Sequence, residues 1–206
     1  FNAGWMYPFK KDATQDGPFH LLDGSTVTVP LMQQSEDLAY ASGPDYQLVQ
    51  LPYVGGELSM VILLPTAGQF EAFARGLDAA QLEAMLQGVQ SAQVTLTLPR
   101  FRYESAAQLK DALTRLGMGG AFEDSADFSG MTGERDLCID DVYHKAFVAV
   151  DEEGTEAAAA TAVVMRLTSA PAEQVEMRVD RPFLFLIRDN ETGAILFLGH
   201  VVNPAG

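Results

Sequence analysis

The chain has 206 residues, 48% of them hydrophobic, which is ample for a sizeable core. Its 13 basic and 28 acidic residues give a formal net charge of −15, which argues against nucleic acid, whose phosphates demand a basic footprint, and disfavours an anionic membrane surface. No run approaches the roughly 18 apolar residues of a membrane span, and the single cysteine, Cys138, excludes an internal disulfide or a thiolate metal site.

The chain opens on Phe1 with no signal-peptide pattern, so a fragment or a processed product is expected. Val27-Thr28-Val29 is short and β-branched, and Pro30 is expected to end that strand. Tyr46 to Tyr53 and Leu58 to Leu64 flank Val54-Gly55-Gly56-Glu57, a hairpin signal. Leu58-Ser59-Met60-Val61-Ile62-Leu63-Leu64 is almost wholly apolar, which predicts a strand buried on both faces.

Two helices are predicted next. Phe70, Phe73 and Leu77 share one face; Leu82, Met85, Leu86 and Val89 form the stripe of the other, with Asp78 and Gln81 spaced as a capping box. Val94, Leu96 and Leu98 then alternate with Thr95 and Thr97. Pro99 interrupts, and Phe101 and Tyr103 resume on the opposite phase, as suits a strand passing from one sheet to another. Ser105 and Gln108 are spaced to cap a third helix, with Leu109, Leu113 and Leu116 inward and Gly117 ending it.

Leu137-Cys138-Ile139 reads as β-like, with Cys138 a small buried core residue. Val142 to Val150 is the most β-like run. Asp151 to Ala162 follows, small and Ala-rich. Alanine is the best helix former. Yet small residues also suit a strand that slides into a packed sheet, with Thr155, Ala157, Ala159, Thr161 and Val163 on one side. Composition leaves both readings open. Phe183 to Ile187 and Ile195 to Val202, separated by Arg188 to Ala194, form a second apolar hairpin. Strands outnumber helices, so the expected class is α+β, a large mixed sheet protein with peripheral helices.

No catalytic constellation stands out. There is no nucleophile elbow, phosphate-binding glycine loop or zinc-binding histidine pair. His20, His144 and His200 are far apart, and His144 reads as a hydrogen-bonded core or sheet-lining residue. Asp140-Asp141 and Asp151-Glu152-Glu153 lack cation-ligand spacing and read as solvated strand ends. No enzyme, cofactor or metal site is expected.

Several segments nevertheless occur in a telling order. They are Phe1-Asn2-Ala3-Gly4-Trp5 with Pro8-Phe9, Val27 to Met32, Leu51-Pro52-Tyr53, Leu98-Pro99-Arg100-Phe101, Leu116-Gly117-Met118, Ala126 to Met131, His144-Lys145-Ala146, Glu152 to Thr161, Asp180-Arg181-Pro182-Phe183 and Gly199 to Pro204. In these the chain resembles the serpins over essentially its whole length. It is similar to the C-terminal half of an inhibitory-type member.

The resemblance implies a β-rich α+β serpin fold, multi-sheet with peripheral helices and an exposed reactive-centre loop, here lacking its N-terminal half. Residues 1–206 would be the C-terminal part of one serpin domain, with hinge and loop at 152–178. It implies a serine protease inhibitor acting as a suicide substrate. A protease cuts the loop and forms an acyl-enzyme, the loop enters the main sheet as a new strand, and the distorted triad cannot deacylate. The hinge would comprise Glu152, Glu153, Gly154, Thr155, Glu156, Ala157, Ala158, Ala159, Ala160 and Thr161, and no proline or charge interrupts Ala157 to Val164.

Family spacing places the reactive bond between Thr168 and Ser169, with Arg166 and Leu167 as alternative specificity residues. Trp5 and His144 match residues with conformational, not chemical, roles. The implied partner is a serine protease: elastase-like or subtilisin-like for Thr168, trypsin-like for Arg166, chymotrypsin-like for Leu167. A secreted, extracellular protein, monomeric when complete, is expected. With the main sheet offering only Pro99 to Glu104, Leu137 to Val150 and the loop, these residues alone are expected not to inhibit. A non-inhibitory binding or carrier serpin is the second reading; a hydrolase is a distant third.

Overall fold

The computed structural model describes residues 1–155 and 174–205. They fall into two compact units, one of residues 1–102 and 148–206 and one of residues 103–147. In chain order the elements are β1 (Ala3–Gly4), β2 (Gln15–His20), β3 (Thr26–Ser42), β4 (Tyr46–Pro52), β5 (Leu58–Pro65), α1 (Phe70–Gly76), α2 (Ala79–Gln87), β6 (Gln90–Pro99), β7 (Phe101–Gln108), α3 (Lys110–Leu113), α4 (Ser129–Thr132), β8 (Tyr143–Val150), β9 (Gly154–Thr155), β10 (Gln174–Arg178), β11 (Phe183–Asp189) and β12 (Ile195–Val201).

The first unit is built on an eight-stranded sheet of order β10-β6-β3-β4-β5-β11-β12, with β2 also paired to β3. In this sheet β10 runs parallel to its neighbour, β6, whereas β6–β3, β3–β4, β4–β5, β5–β11, β11–β12 and β2–β3 are antiparallel. The predicted doubly buried strand is β5, whose residues from Ser59 to Pro65 are all buried. Met60, Ile62 and Leu64 enter the main core with Phe183 and Phe185, while Val61 and Leu63 pack on the other face with Leu48, Leu82 and Leu186. Each such side chain contributes about 1.5–3 kcal/mol by leaving water, so β5 anchors both layers. Ser59 sits there without penalty because its hydroxyl donates to Asn190 Oδ1 at 2.8 Å and accepts from Gln50 Nε2 at 2.9 Å.

Both predicted helices form, and α2 carries the capping box. Asp78 accepts from the Gln81 N–H at 2.8 Å, and Gln81 Oε1 accepts from the Asp78 N–H at 3.2 Å. The phase change at Pro99 marks a change of sheet, since β6 belongs to the large sheet and β7 lies beside β8 in another.

Pro30 does not end its strand. It lies where β3 changes partners, from β2 at residues 26–31 to β6 at residues 31–40. Its carbonyl still accepts from the Arg100 N–H at 2.9 Å, and a proline is tolerated where no ladder donor is required.

In the second unit, β7 and β8 are neighbours. Ser105 to Gln108 belong to β7 and cap nothing, because the strand ladder claims them first. The helix that follows, Lys110–Leu113, continues directly into a π-helical stretch, Thr114–Met118, and Gly117 breaks it at φ 101°. Leu116 is not inward: it is 81% exposed. Leu137 to Ile139 lie outside any strand, and β8 starts only at Tyr143. The Ile139 N–H bonds to Ala121 O and the Val142 N–H to the Asp141 side chain, so these donors are taken by loop contacts instead of a ladder. Cys138 is accordingly exposed, not a core residue.

Candidate functional site

The site lies wholly in the first unit, where β8 ends. After Val150 the chain reverses over Asp151 to Gly154 and returns as β9. The Asp151 N–H donates to Gly154 O at 3.0 Å, and Asp151 Oδ1 accepts from the N–H groups of Glu153 at 2.8 Å and Gly154 at 3.2 Å. Such a self-bonded aspartate turn explains why the β-like run stops here. Gly154 takes φ 153°, which residues bearing a Cβ rarely adopt.

On its return the chain finds strands on both sides. Thr155 pairs with Val150 of β8 and with Ala3 of β1, and Gly154 pairs with Gly4, both pairings antiparallel. Residues 5–14 then bind the turn itself. The Trp5 N–H donates to Glu153 O and the Phe9 N–H to Glu152 O, each at 2.9 Å. The Trp5 indole N–H donates to Asp151 O, also at 2.9 Å.

Glu152 is the electrostatic centre of this seat. Its side chain is 2% exposed, so it is no solvated strand end as its acidic neighbours suggested. Its carboxylate accepts from Arg100 Nε at 2.9 and 2.8 Å, from Arg100 Nη2, and from the Thr14 hydroxyl. A buried charge is tolerable only when paired and hydrogen-bonded in this way. Burial pushes the Glu152 carboxyl up, but the bonds from Arg100 and Thr14 outweigh it and hold the group below its ordinary value. Glu153 faces outward to Lys11 at 2.7 Å, an exposed pair of little energetic weight.

Beside the turn, Trp5 stacks on Tyr53, centroids 4.7 Å apart and planes 10° from parallel. Both rings are buried. The Tyr53 hydroxyl lies 2.7 Å from Thr155 Oγ1, and either can be the donor. Burial raises the Tyr53 phenol above its ordinary value, and the Thr155 bond offsets only part of that rise.

Of the residues singled out in the sequence, Trp5, Glu152, Glu153, Gly154 and Thr155 come together here. His144 is not a core residue as expected: it is exposed on β8 in the second unit. Glu156, Ala157, Ala158, Ala159, Ala160, Thr161, Arg166, Leu167, Thr168 and Ser169 lie outside the described residues. Thr14, Tyr53 and Arg100 were not anticipated as part of the site. Tyr53 and Arg100 stand in Leu51-Pro52-Tyr53 and Leu98-Pro99-Arg100-Phe101, segments marked only for their resemblance. Their partners Thr155 and Glu152 are 102 and 52 positions away.

The arrangement holds no reacting groups. What it does is hold Gly154 and Thr155 of β9 against β1 on one side and Thr155 against β8 on the other. The family model described as Serpin (serine protease inhibitor) matches residues 1–204. An uncharacterized serpin-like protein of Thermococcus kodakarensis is 42% identical over 99% of this chain and 48% of its own length. The leukocyte elastase inhibitor of Homo sapiens is 40% identical over 99% of this chain and 56% of its own length.

Among solved structures, a thyroxine-binding globulin complex with thyroxine superposes with a TM-score of 0.84 at 30% identity, covering 98% of this chain and 54% of that one. Uncleaved ovalbumin does so with a TM-score of 0.84 at 27% identity, covering 99% and 52%. The chain thus spans about half the length of the relatives it matches. It belongs to the serpin family.

Proposed function

We propose that the protein is an inhibitor of serine endopeptidases acting as a suicide substrate, with 152–178 as hinge and reactive-centre loop within a serpin domain. One observation carries this reading. Gly154 and Thr155, the first two residues of the strand that would insert, already pair antiparallel with β1 on one side, and Thr155 pairs with β8 on the other. Insertion would extend that strand through Ala157 to Thr161. About ten further ladder bonds, each worth roughly 0.5–1.5 kcal/mol net, amount to about 10 kcal/mol, comparable with the stability of a whole domain. The uncut form would then persist kinetically.

Cleavage is assigned to the Thr168–Ser169 bond. The side chain of Thr168 suits an elastase-like or subtilisin-like pocket, and the likeness to leukocyte elastase inhibitors supports the former. Arg166 or Leu167 would redirect the target to trypsin-like or chymotrypsin-like enzymes. Trp5 and His144 have conformational roles, and the protein works outside the cell. A second reading, a binding protein cut without trapping its protease, has support in the likeness to thyroxine-binding globulin. Because β1 supplies only Ala3–Gly4 on one side of the slot, these 206 residues alone would be cut without trapping.

The test mixes the protein with elastase-like, subtilisin-like, trypsin-like and chymotrypsin-like proteases and reads intact masses under denaturing conditions. Both the 206 residues and the full product of the reading frame are tested. A covalent adduct of the full product, with a released peptide beginning at Ser169, is the expected outcome. Cleavage of the full product in the same segment without an adduct would reject inhibition in favour of the second reading.

A further inference from the structure

The hinge presents a register problem. Ala157, Ala158, Ala159 and Ala160 are identical, so this part of an inserting strand carries nothing by which one alignment could be told from another. A slip by one residue moves each side chain to the opposite face, and a slip by two is invisible to a run of alanines. Thr155 has the only hydroxyl between Asp151 and Ala160. It is 2% exposed and meets the hydroxyl of Tyr53, which is 1% exposed, at 2.7 Å.

We propose that Tyr53 is the positioning residue that sets the hinge register, by admitting a hydroxyl side chain at position 155 and holding it opposite Ala3 and Val150. Alternative alignments fail against it chemically. One residue back brings Gly154, which has no side chain to answer the phenol. One residue forward brings Glu156, a carboxylate in a site sealed from water. Two forward brings Ala157, a methyl group that leaves the Tyr53 hydroxyl buried and unbonded. An unsatisfied buried hydroxyl is disfavoured by about tenfold or more in equilibrium constant. The Trp5 ring stacked on Tyr53 at 4.7 Å keeps the phenol aimed at this one place, and the bond from the Trp5 indole to Asp151 O ties the same ring to the turn.

This inference deepens the inhibitory reading and rests on it for the strand that inserts, but its test needs no protease. Hydrogen exchange is followed by NMR in the 206-residue chain, for the unchanged protein and for Tyr53→Phe, Thr155→Val, Thr155→Ser and the Tyr53→Phe/Thr155→Val pair. The reporters are the Trp5 indole N–H, the Trp5 main-chain N–H and the Asp151 N–H, whose acceptors all lie in the turn. The Ile62 N–H, in a strand paired on both sides, reports global opening.

Each single removal of a hydroxyl is expected to speed the reporters about tenfold or more while Ile62 stays unchanged. Thr155→Ser is expected to retain protection, and the double variant to recover most of it, since no unpaired hydroxyl remains. Reporters unmoved in Tyr53→Phe, reporters moving by the same factor as Ile62, or a double variant showing the sum of the single effects would each overturn the proposal. Failure here leaves the inhibitory reading standing. A missing covalent adduct leaves the hydroxyl pair standing.

Discussion

Replacing Glu152 by glutamine isolates the charge at the seat from its shape. The carboxylate is 2% exposed and takes bonds from Arg100 and Thr14, whereas the Arg100 side chain keeps 43% of its exposure. Removing one partner of a fully buried ion pair costs about 3–5 kcal/mol. Arg100 can return to water, which places Glu152→Gln lower, at about 2 kcal/mol, near the worth of one charged hydrogen bond.

Arg100→Met is predicted to cost more, about 3 kcal/mol, because among the described residues it leaves the buried carboxylate with Thr14 as its remaining side-chain partner. The double variant should cost less than the sum of the two. Trp5 is the only tryptophan and bonds directly to the turn, so urea unfolding followed by its fluorescence reads this unit. A Glu152→Gln variant within about 0.5 kcal/mol of the unchanged protein, the range of ordinary surface substitutions, would refute the buried pair as the clamp on the turn.

Acid should loosen the same seat. The folded-state value of Glu152 is depressed, so its stabilisation is complete above the ordinary value of 4.5 and is lost as pH falls through the lower folded value. A Trp5 fluorescence titration below pH 4.5 should show a transition that Glu152→Gln removes. Gly199→Ala places a Cβ 2.7 Å from the Phe185 ring, opposite it in the β11–β12 ladder, where the ring is 1% exposed and has no room to give. A loss of about 1–3 kcal/mol is expected in thermal or urea unfolding. Asp78→Ala removes half of the α2 capping box and should cost about 1 kcal/mol in the same assay.

Much of this protein was determined by its sequence alone, wherever the deciding forces act between near neighbours. The apolar run from Leu58 to Leu64 predicts a strand covered on both faces, and β5 is one. Asp78 and Gln81 carry their capping geometry in a spacing of three residues. The phase change at Pro99 announced a change of sheet because side-chain alternation is a property of the strand itself. The ordered motifs likewise sufficed for the family.

Only the tertiary structure decided the rest. Glu152 reads as one more solvent-facing acid in an acidic stretch, until Arg100 and Thr14 arrive from 52 and 138 positions away to share its burial. Pro30 reads as a strand end, until β3 is seen to change partners there. Thr155 reads as one small hinge residue among several until Tyr53, 102 positions distant, places a second buried hydroxyl against it. Periodicity and capping record the chain's conversation with itself over a few residues. Whether a polar group is solvated or sealed depends on which distant segment the fold sets beside it, and no local pattern encodes that neighbour.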